Sequence, residues 1–145
     1  LTTFDISADG KTITEVKEVS LSSYVRFPSM AKRAENAFVA AYTGPSNDGF
    51  ISTIATTGDG KTITIKKTLE HDTDNGQYNS ILGPLDENFG LAYTGPGNDG
   101  FIKIFNIPND DTITEVINVE HDRNQSIYNS IFIHDWGYLW HHPSG

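Results

Sequence analysis

The chain has 145 residues, with 10 basic and 19 acidic side chains, a formal net charge of −9 and no cysteine. The absence of cysteine excludes disulfides, cysteine-based zinc sites and a thiol nucleophile. The acidity argues against a nucleic-acid or anionic-membrane partner, and no apolar run approaches the roughly 20 residues that span a bilayer.

Residues 1–20 predict two strands, one over Leu1 to Ile6 and one that starts at the Thr-Ile-Thr segment 12–14. The same segment recurs at 62–64 and 112–114, each time 50 residues later. This spacing indicates an internal repeat. Because the chain opens at Leu1 without a methionine, we interpret it as a processed chain or a piece of a longer reading frame.

Residues 24–69 predict four strands, which we label a to d. Strand a is a short run at Tyr24 to Pro28, and strand b contains Ala40 and Ala41. A Gly-Pro-Ser-Asn-Asp-Gly turn separates strand b from strand c. In strand d, apolar residues alternate with threonines and lysines over Lys61 to Leu69, which predicts an outer strand with one solvent-exposed face.

Residues 78–119 repeat this pattern. The segment 41–51 recurs as 92–102, since Tyr93 follows Tyr42 by 51 residues. Gly, Pro, Asn and Asp separate the runs, as expected for hairpins. The predicted strands are Tyr78 to Leu82, Phe89 to Thr94, Phe101 to Ile107 and Thr112 to Val119.

Residues 128–145 predict strands a and b only, at Tyr128 to Ile133 and Trp136 to His141. The chain therefore starts with a c–d half-unit and ends with an a–b half-unit. Tandem units of four antiparallel strands are typical of β-propeller blades. The sequence predicts an all-β propeller with three blades per chain: the half-blade 1–20, the full blades 24–69 and 78–119, and the half-blade 128–145.

The Tyr-Thr-Gly-Pro-x-Asn-Asp-Gly-Phe-Ile hairpin and the Glu-His-Asp segments resemble tandem propeller repeats of surface or secreted bacterial and environmental proteins. The resemblance covers nearly the whole chain. It implies a four-stranded blade and favours an extracellular or cell-surface location, but it brings no assigned chemistry.

Three blades are too few to close a ring, because propellers have about four to eight. An open arrangement would leave strand edges unpaired at both ends, which proteins generally cover. We expect a homodimer in which the half-blades of two chains complete each other, forming a six-bladed ring with twofold symmetry. The alternative is a segment of a longer propeller chain.

The d–a and b–c connections are expected on one rim. Because they contain the Glu-His-Asp segments and the Asn-Asp pairs, we expect that rim to be acidic. Carboxylate and amide oxygens there suit calcium or the hydroxyls of a carbohydrate or another small molecule. The favoured interpretation is structural, because Asn, Asp and Gly form turns and histidines in loops commonly donate hydrogen bonds. The candidate ligand-binding residues are Glu70, His71, Asp72, Glu120, His121, Asp122, Asn98 and Asp99.

The sequence contains no Gly-x-Ser-x-Gly, His-Glu-x-x-His or Gly-x-x-x-x-Gly-Lys motif. The two full units repeat the same polar set, which favours a binding or scaffold module, of lectin-like type, over one asymmetric active site. We predict no catalytic residue, no cofactor and no resident metal. The alternative is part of a metal-dependent propeller hydrolase or lyase, with a site near the Glu-His-Asp segments.

Overall fold

The computed structural model describes residues 1–134 and 137–141. Trp136, where the last strand is predicted to begin, and residues 142–145 lie outside this part. The described residues form strands and short turns, which confirms the all-β prediction. The strands are β1 (Thr2–Ile6), β2 (Ile13–Glu18), β3 (Arg26–Ala34), β4 (Ala37–Thr43), β5 (Gly49–Thr56), β6 (Ile63–Asp72), β7 (Gln77–Leu85), β8 (Asn88–Thr94), β9 (Gly100–Asn106), β10 (Thr114–Asp122), β11 (Ser130–His134) and β12 (Gly137–His141).

The strands form four separate antiparallel sheets, each made of consecutive strands. Two sheets have four strands, β3 to β6 and β7 to β10, and two have only two strands, β1–β2 and β11–β12. In the four-stranded sheets the order along the sheet is the order along the chain, as hairpin connections require. The predicted strands a, b, c and d therefore correspond to β3–β6 and β7–β10 in turn.

Strand d is longer than the sequence predicts. The expected ends are Leu69 and Val119, whereas β6 runs to Asp72 and β10 runs to Asp122. The β5–β6 ladder continues past Leu69, because Glu70 of β6 pairs with Phe50 of β5. The Glu-His-Asp segments are thus the ends of strands rather than connecting loops.

The main apolar core lies between the two complete sheets. Phe89 and Tyr93 of β8 and Phe105 of β9 are fully buried there, against Val39 and Ile51 of the preceding sheet. Fully burying a side chain of this size stabilises the fold by about 1.5–3 kcal/mol. A smaller cluster joins the β1–β2 sheet to the first complete sheet, through Ala40, Ile54 and Ile63 with Leu1, Val19 and Leu21.

Neighbouring sheets are also joined through their a strands. The backbone N–H of Ile81 donates to Ser29 Oγ at 3.1 Å, and that of Ile131 donates to Ser80 Oγ at 3.3 Å. The two hydrogen bonds are equivalent in the repeat, because Ile131 lies 50 residues after Ile81 and Ser80 lies 51 residues after Ser29. Each a strand is therefore held beside the next one in the same register.

The two-stranded sheets expose positions that the complete sheets bury. Phe4 pairs with Glu15, Ile54 with Ile65 and Phe105 with Glu115, so these three apolar residues occupy the same place in successive repeats. Ile54 is 2% exposed and Phe105 is 0% exposed, but Phe4 is 56% exposed. The β1–β2 sheet therefore presents an apolar position that lacks the cover found in the complete sheets.

Candidate binding rim

The starts of the a strands, the ends of the d strands and the b–c turns lie on one side of the molecule. Arg26 pairs with Thr43, and Gly49 pairs with Asp72, so these elements end together. Gln77 and Thr94 are paired in the same way in the second complete sheet. We call this side the repeat rim, and it consists of residues 24–27, 44–48, 70–79, 95–99 and 120–129.

The two b–c turns have the same geometry. In the first, the N–H of Gly44 donates to the carbonyl of Asp48 at 2.8 Å, and in the second Gly95 donates to Asp99 at 2.9 Å. Each turn has two consecutive left-handed residues, Ser46 and Asn47 with φ 61° and 71°, and Gly97 and Asn98 with φ 72° and 66°. Asparagine tolerates this conformation better than most residues, so the repeated Asn has a structural reason in each turn.

The glycine after each Asn-Asp pair is required by a close approach of a histidine ring. A Cβ on Gly49 would lie 2.4 Å from Cε1 of His71, and a Cβ on Gly100 would lie 2.4 Å from Cε1 of His121. Real Cβ atoms do not approach other atoms so closely. The imidazole at the end of strand d therefore packs directly against the start of strand c.

His71 is buried, with 5% of its surface exposed. Strand alternation explains this position, because Leu69 and His71 both face inward. Its ring meets the Tyr93 ring edge-on at a centroid distance of 4.8 Å. Burial lowers the pKa of His71 to about 3, and the charge of Lys103 contributes to the shift. The imidazole is therefore neutral near pH 7 and is poorly suited to proton transfer.

Asp72 is engaged by the following loop and by the core. Its Oδ1 accepts hydrogen bonds from the N–H groups of Asp74 and Asn75 at 3.1 Å, and its Oδ2 accepts one from the Tyr93 hydroxyl at 3.0 Å. Burial and the Asp72 carboxylate raise the pKa of Tyr93. In the next repeat Asp122 accepts from the N–H of Asn124 at 2.9 Å. These carboxylates hold the d–a loops in place.

The glutamates lie apart from the histidines. Glu70 is exposed on the opposite face of β6 from His71, beside Asp48. Partial desolvation and a hydrogen bond with the Asp48 carboxyl raise the pKa of Glu70. Glu120 is an exposed residue whose Oε1 lies 3.6 Å from Nε of Arg123.

The predicted site residues are therefore not brought together as one chelating group. Within residues 1–134 and 137–141, no cluster of three or more His, Asp or Glu side chains could hold a metal ion. Asn98 is exposed and Asp99 is half-buried at the second turn.

Each turn is hydrogen-bonded to the next d–a loop. The N–H of Gly76 donates to the carbonyl of Asn47 at 2.8 Å, and the Asn79 side-chain amide donates to the carbonyl of Gly76 at 3.0 Å. The equivalent bond in the next repeat joins Ser126 N–H to the carbonyl of Asn98 at 2.9 Å. The repeated Asn residues thus connect successive sheets at the rim.

Lys103 is a buried charged residue that sequence reasoning did not single out. Its Nζ donates to Glu115 Oε2 at 2.9 Å and to the carbonyl of His71. The equivalent position in the first complete sheet is Ser52. Ser52 pairs with Ala40 of strand b, and Lys103 pairs with Leu91, which is the matching residue of strand b in the second complete sheet. A single lysine inside an apolar strand c was the signal available in the sequence.

Three aromatic rings form a row along the starts of the a strands, and we call Phe27, Tyr78 and Tyr128 the aromatic row. The ring centroids of Phe27 and Tyr78 are 4.2 Å apart, and those of Tyr78 and Tyr128 are 5.0 Å apart. Tyr128 is 67% exposed. The sequence signal for the row was an aromatic residue recurring after 51 and then 50 residues.

The repeat rim has a strong excess of negative charge. Seven acidic residues stand against two basic ones in its five segments. The acidic residues are Asp48, Glu70, Asp72, Asp74, Asp99, Glu120 and Asp122, and the basic residues are Arg26 and Arg123. The rim therefore combines a negative field with a row of aromatic rings.

Comparison with known proteins gives no match, either to a family model or to a curated protein. No helix among the described residues has the length and apolar character needed to cross a bilayer.

Proposed function

We propose that the chain is a non-enzymatic β-propeller module for binding or scaffolding, and that two copies close the ring by exchanging strands. Each copy contributes two complete blades and two half-blades. The β11–β12 pair of one copy would complete the β1–β2 pair of the other at two equivalent junctions. A closed, twofold-symmetric assembly of this kind leaves no unpaired sheet edge.

The complementary half-sheets support this proposal. The β1–β2 sheet corresponds to strands c and d, and the β11–β12 sheet corresponds to strands a and b. The two are separate sheets within the chain. Strand c of a complete sheet pairs with strand b, so β1 offers the edge that a b strand would occupy.

The observation that carries the proposal is the exposure of Phe4. The same repeat position is buried in both complete sheets, at Ile54 and Phe105, where strands a and b are present. Covering an aromatic side chain stabilises an interface through its apolar area and ring contacts. A b strand from a second copy would supply that cover.

A groove lies beside the β1–β2 sheet, where strand a of a complete blade would run. The apolar residues that line it include Leu1, Val19, Leu21, Val25, Pro28 and Met30. Met30 is equivalent to Ile81 and Ile131, whose N–H groups donate to serines of the preceding a strand. In the proposed dimer, Ser130 of the partner subunit would accept from the N–H of Met30.

The binding or scaffold function is supported by the structural use of the repeated polar residues. His71 is neutral and buried, Asp72 holds a loop, and Glu70 lies on the opposite face of the strand. No observation on the described residues favours the metal-dependent hydrolase or lyase alternative.

Light scattering at micromolar concentration tests the dimer. We expect a mass of twice the 16.0 kDa of the chain, and we expect Phe4→Asp to shift it to the monomer because a charge would replace the covered ring. Val116→Asp is the matched control. Val116 lies on an outermost strand and is about as exposed as Phe4. Its equivalent one repeat earlier is Lys66, so a charged side chain is accepted at this position. This control should remain dimeric.

A monomeric wild-type chain would contradict the dimer and favour closure within a longer chain. A Phe4→Asp variant that remains dimeric would show that the interface lies elsewhere.

A further inference from the structure

The second d–a loop, residues 123–129, contains a short motif that the first d–a loop lacks. Residues 124–126 read Asn-Gln-Ser, which is an Asn-x-Ser acceptor sequence for N-linked glycosylation. Asn124 is the one asparagine of the chain that has Ser or Thr two residues later. The corresponding residues 74–76 of the first loop read Asp-Asn-Gly, so both acceptor positions differ there. Because so short a motif also arises by chance, its place in the fold has to support it.

The fold exposes Asn124 to solvent. β10 ends at Asp122 and β11 begins at Ser130, and Asn124 and Gln125 are both exposed between them. The N–H of Asn124 donates to Asp122 Oδ1 at 2.9 Å, which fixes the loop at this point. This hydrogen bond involves the backbone of Asn124, so a group attached to its side-chain nitrogen leaves the bond intact.

The position stays exposed where both neighbouring sheets are complete. Asp74 is the equivalent of Asn124 one repeat earlier, and its N–H donates to Asp72 Oδ1 at 3.1 Å in the same way. Asp74 is exposed, although its loop connects the two four-stranded sheets. Completion of the β11–β12 sheet by a partner would therefore leave Asn124 uncovered. A glycan on Asn124 extends into solvent in the monomer and in the proposed dimer alike.

Ser126 determines when the acceptor sequence can be recognised. Ser126 is 1% exposed, and its hydroxyl donates to Asn129 Oδ1 at 3.0 Å. Its backbone N–H donates to the carbonyl of Asn98 at 2.9 Å. Since the acceptor sequence requires a Ser or Thr hydroxyl, the transferase must reach that hydroxyl as well as the asparagine. The folded loop buries the hydroxyl, so recognition has to precede folding of this loop.

We propose that Asn124 is an N-glycosylation site, modified during export of the chain and before the loop folds. The donor is a polyprenyl-diphosphate-linked oligosaccharide. A bond forms between the side-chain nitrogen of Asn124 and C1 of the first sugar, and the bond between that carbon and the diphosphate oxygen breaks. The amide nitrogen loses one proton, and the polyprenyl diphosphate leaves. The modification adds a bulky, solubilising group to the repeat rim, and it does not depend on the proposed binding or scaffold function.

Export of the whole chain from a eukaryotic host, behind a secretion signal, tests the proposal. The host must glycosylate a co-expressed reporter protein that carries an established acceptor sequence. We expect most of the exported chain to carry one N-linked glycan, seen as a mass increase that peptide N-glycosidase removes. Removal in heavy-oxygen water labels the acceptor residue, and mass spectrometry of the peptides should place the label at Asn124.

Variants of the loop identify the acceptor. Asn124→Gln should abolish the glycan, whereas Ser126→Thr should retain it because threonine keeps the required hydroxyl. Asn118→Gln is the matched control, since Asn118 is an exposed asparagine of β10 without Ser or Thr two residues later. This control should be modified as the wild type is. Circular dichroism confirms that each variant is folded.

Two further measurements test the timing and the exposure of the site. Unmodified chain that has folded in a bacterial cytoplasm and is then added to microsomal membranes of the same eukaryotic host should not be glycosylated, because Ser126 is buried. Light scattering of the exported chain should give the same oligomeric state before and after enzymatic removal of the glycan.

The proposal would be overturned by a wild-type chain without glycan from a host that modifies the reporter, or by a glycan that persists in Asn124→Gln. Modification of the folded chain would contradict the timing, and a dimer that forms only after removal of the glycan would contradict the exposure. A monomer that carries the glycan at Asn124 would contradict the dimer alone. A dimer without the glycan would contradict the glycosylation site alone.

Discussion

At the scale of single residues, a close approach of two backbone segments explains the glycine at position 76 of the repeat rim. Gly76 and Gly49 face each other across the boundary between two sheets. A Cβ on Gly76 would lie 2.2 Å from the Gly49 Cα and 2.5 Å from its nitrogen. Because both neighbours are backbone atoms, no side-chain rotation can relieve the contact.

We expect Gly76→Ala to lower the free energy of unfolding by about 3 kcal/mol, since overpacking against backbone forces the two sheets apart. Urea denaturation measures the change. Gly58→Ala is the control, because the nearest atom to its added Cβ is Nδ2 of Asn36 at 3.8 Å. Equal stability losses in the two variants would contradict the close-packed boundary.

His71 makes stability depend on pH. Its pKa is about 3 in the folded chain and about 6.5 when unfolded, so the unfolded state binds more protons between these values. The free energy of unfolding should therefore fall as the pH falls below about 6.5, by roughly 2 kcal/mol between pH 7 and pH 5.

Urea denaturation of the wild type and His71→Gln at both pH values checks this expectation. The variant should show a clearly smaller difference between pH 7 and pH 5, whatever its absolute stability. Identical pH dependence in the two proteins would mean that His71 is not the buried neutral group responsible.

At the scale of the strands, the sequence predicted well where the local pattern and the burial agree. The 50-residue spacing of the Thr-Ile-Thr segments and the alternation in β6 both indicated the strands that the structure contains. The predicted ends of strand d were wrong. The Glu-His-Asp segment is polar in composition and therefore indicates a loop, although His71 is buried within the strand.

The aromatic row could not be predicted in this form. Phe27, Tyr78 and Tyr128 have φ of 46°, 50° and 59°. A bulky residue in the left-handed region contradicts its usual preference, and the local pattern at Tyr78 and Tyr128 indicates an ordinary strand start. The burial of Lys103 could not be predicted from the local sequence either. Its partners, Glu115 and the carbonyl of His71, come from the adjacent strand and the neighbouring sheet.

A buried ion pair joins the two complete sheets on the side opposite the rim. Arg33 of β3 donates to Asp111 Oδ1 and to the carbonyl of Pro108 in the β9–β10 turn. The side chains are 9% and 19% exposed. Removing one member of such a pair leaves the other charge without compensation.

We expect Arg33→Met to lower the free energy of unfolding by about 3 kcal/mol. Lys61→Met removes an ion pair with Asp59 whose side chains are largely exposed, and it should have no measurable effect. Thermal and urea denaturation compare the two variants. A similar small effect in both would show that the Arg33 pair does not hold the sheets together.

At the scale of the whole molecule, both ends of the stacked sheets expose apolar residues. Phe4, Ile6 and Ile13 are exposed in the β1–β2 sheet, and Ile117 and Val119 are exposed on β10. Val119 lies 50 residues after Leu69, which is half-buried in the first complete sheet. The proposed dimer covers both ends at once, because each half-sheet meets its complement.

Ring closure by two copies predicts the behaviour of a tandem fusion. Two copies of the chain joined by a flexible linker contain all six proposed blades, so the fusion should be a monomer whose melting temperature is independent of concentration. The unfused chain should melt at a higher temperature as its concentration rises, because association stabilises it by mass action. Light scattering and calorimetry over a hundredfold dilution series test both expectations. A fusion that assembles further, or an unfused chain whose melting temperature is unaffected by dilution, would contradict closure by strand exchange.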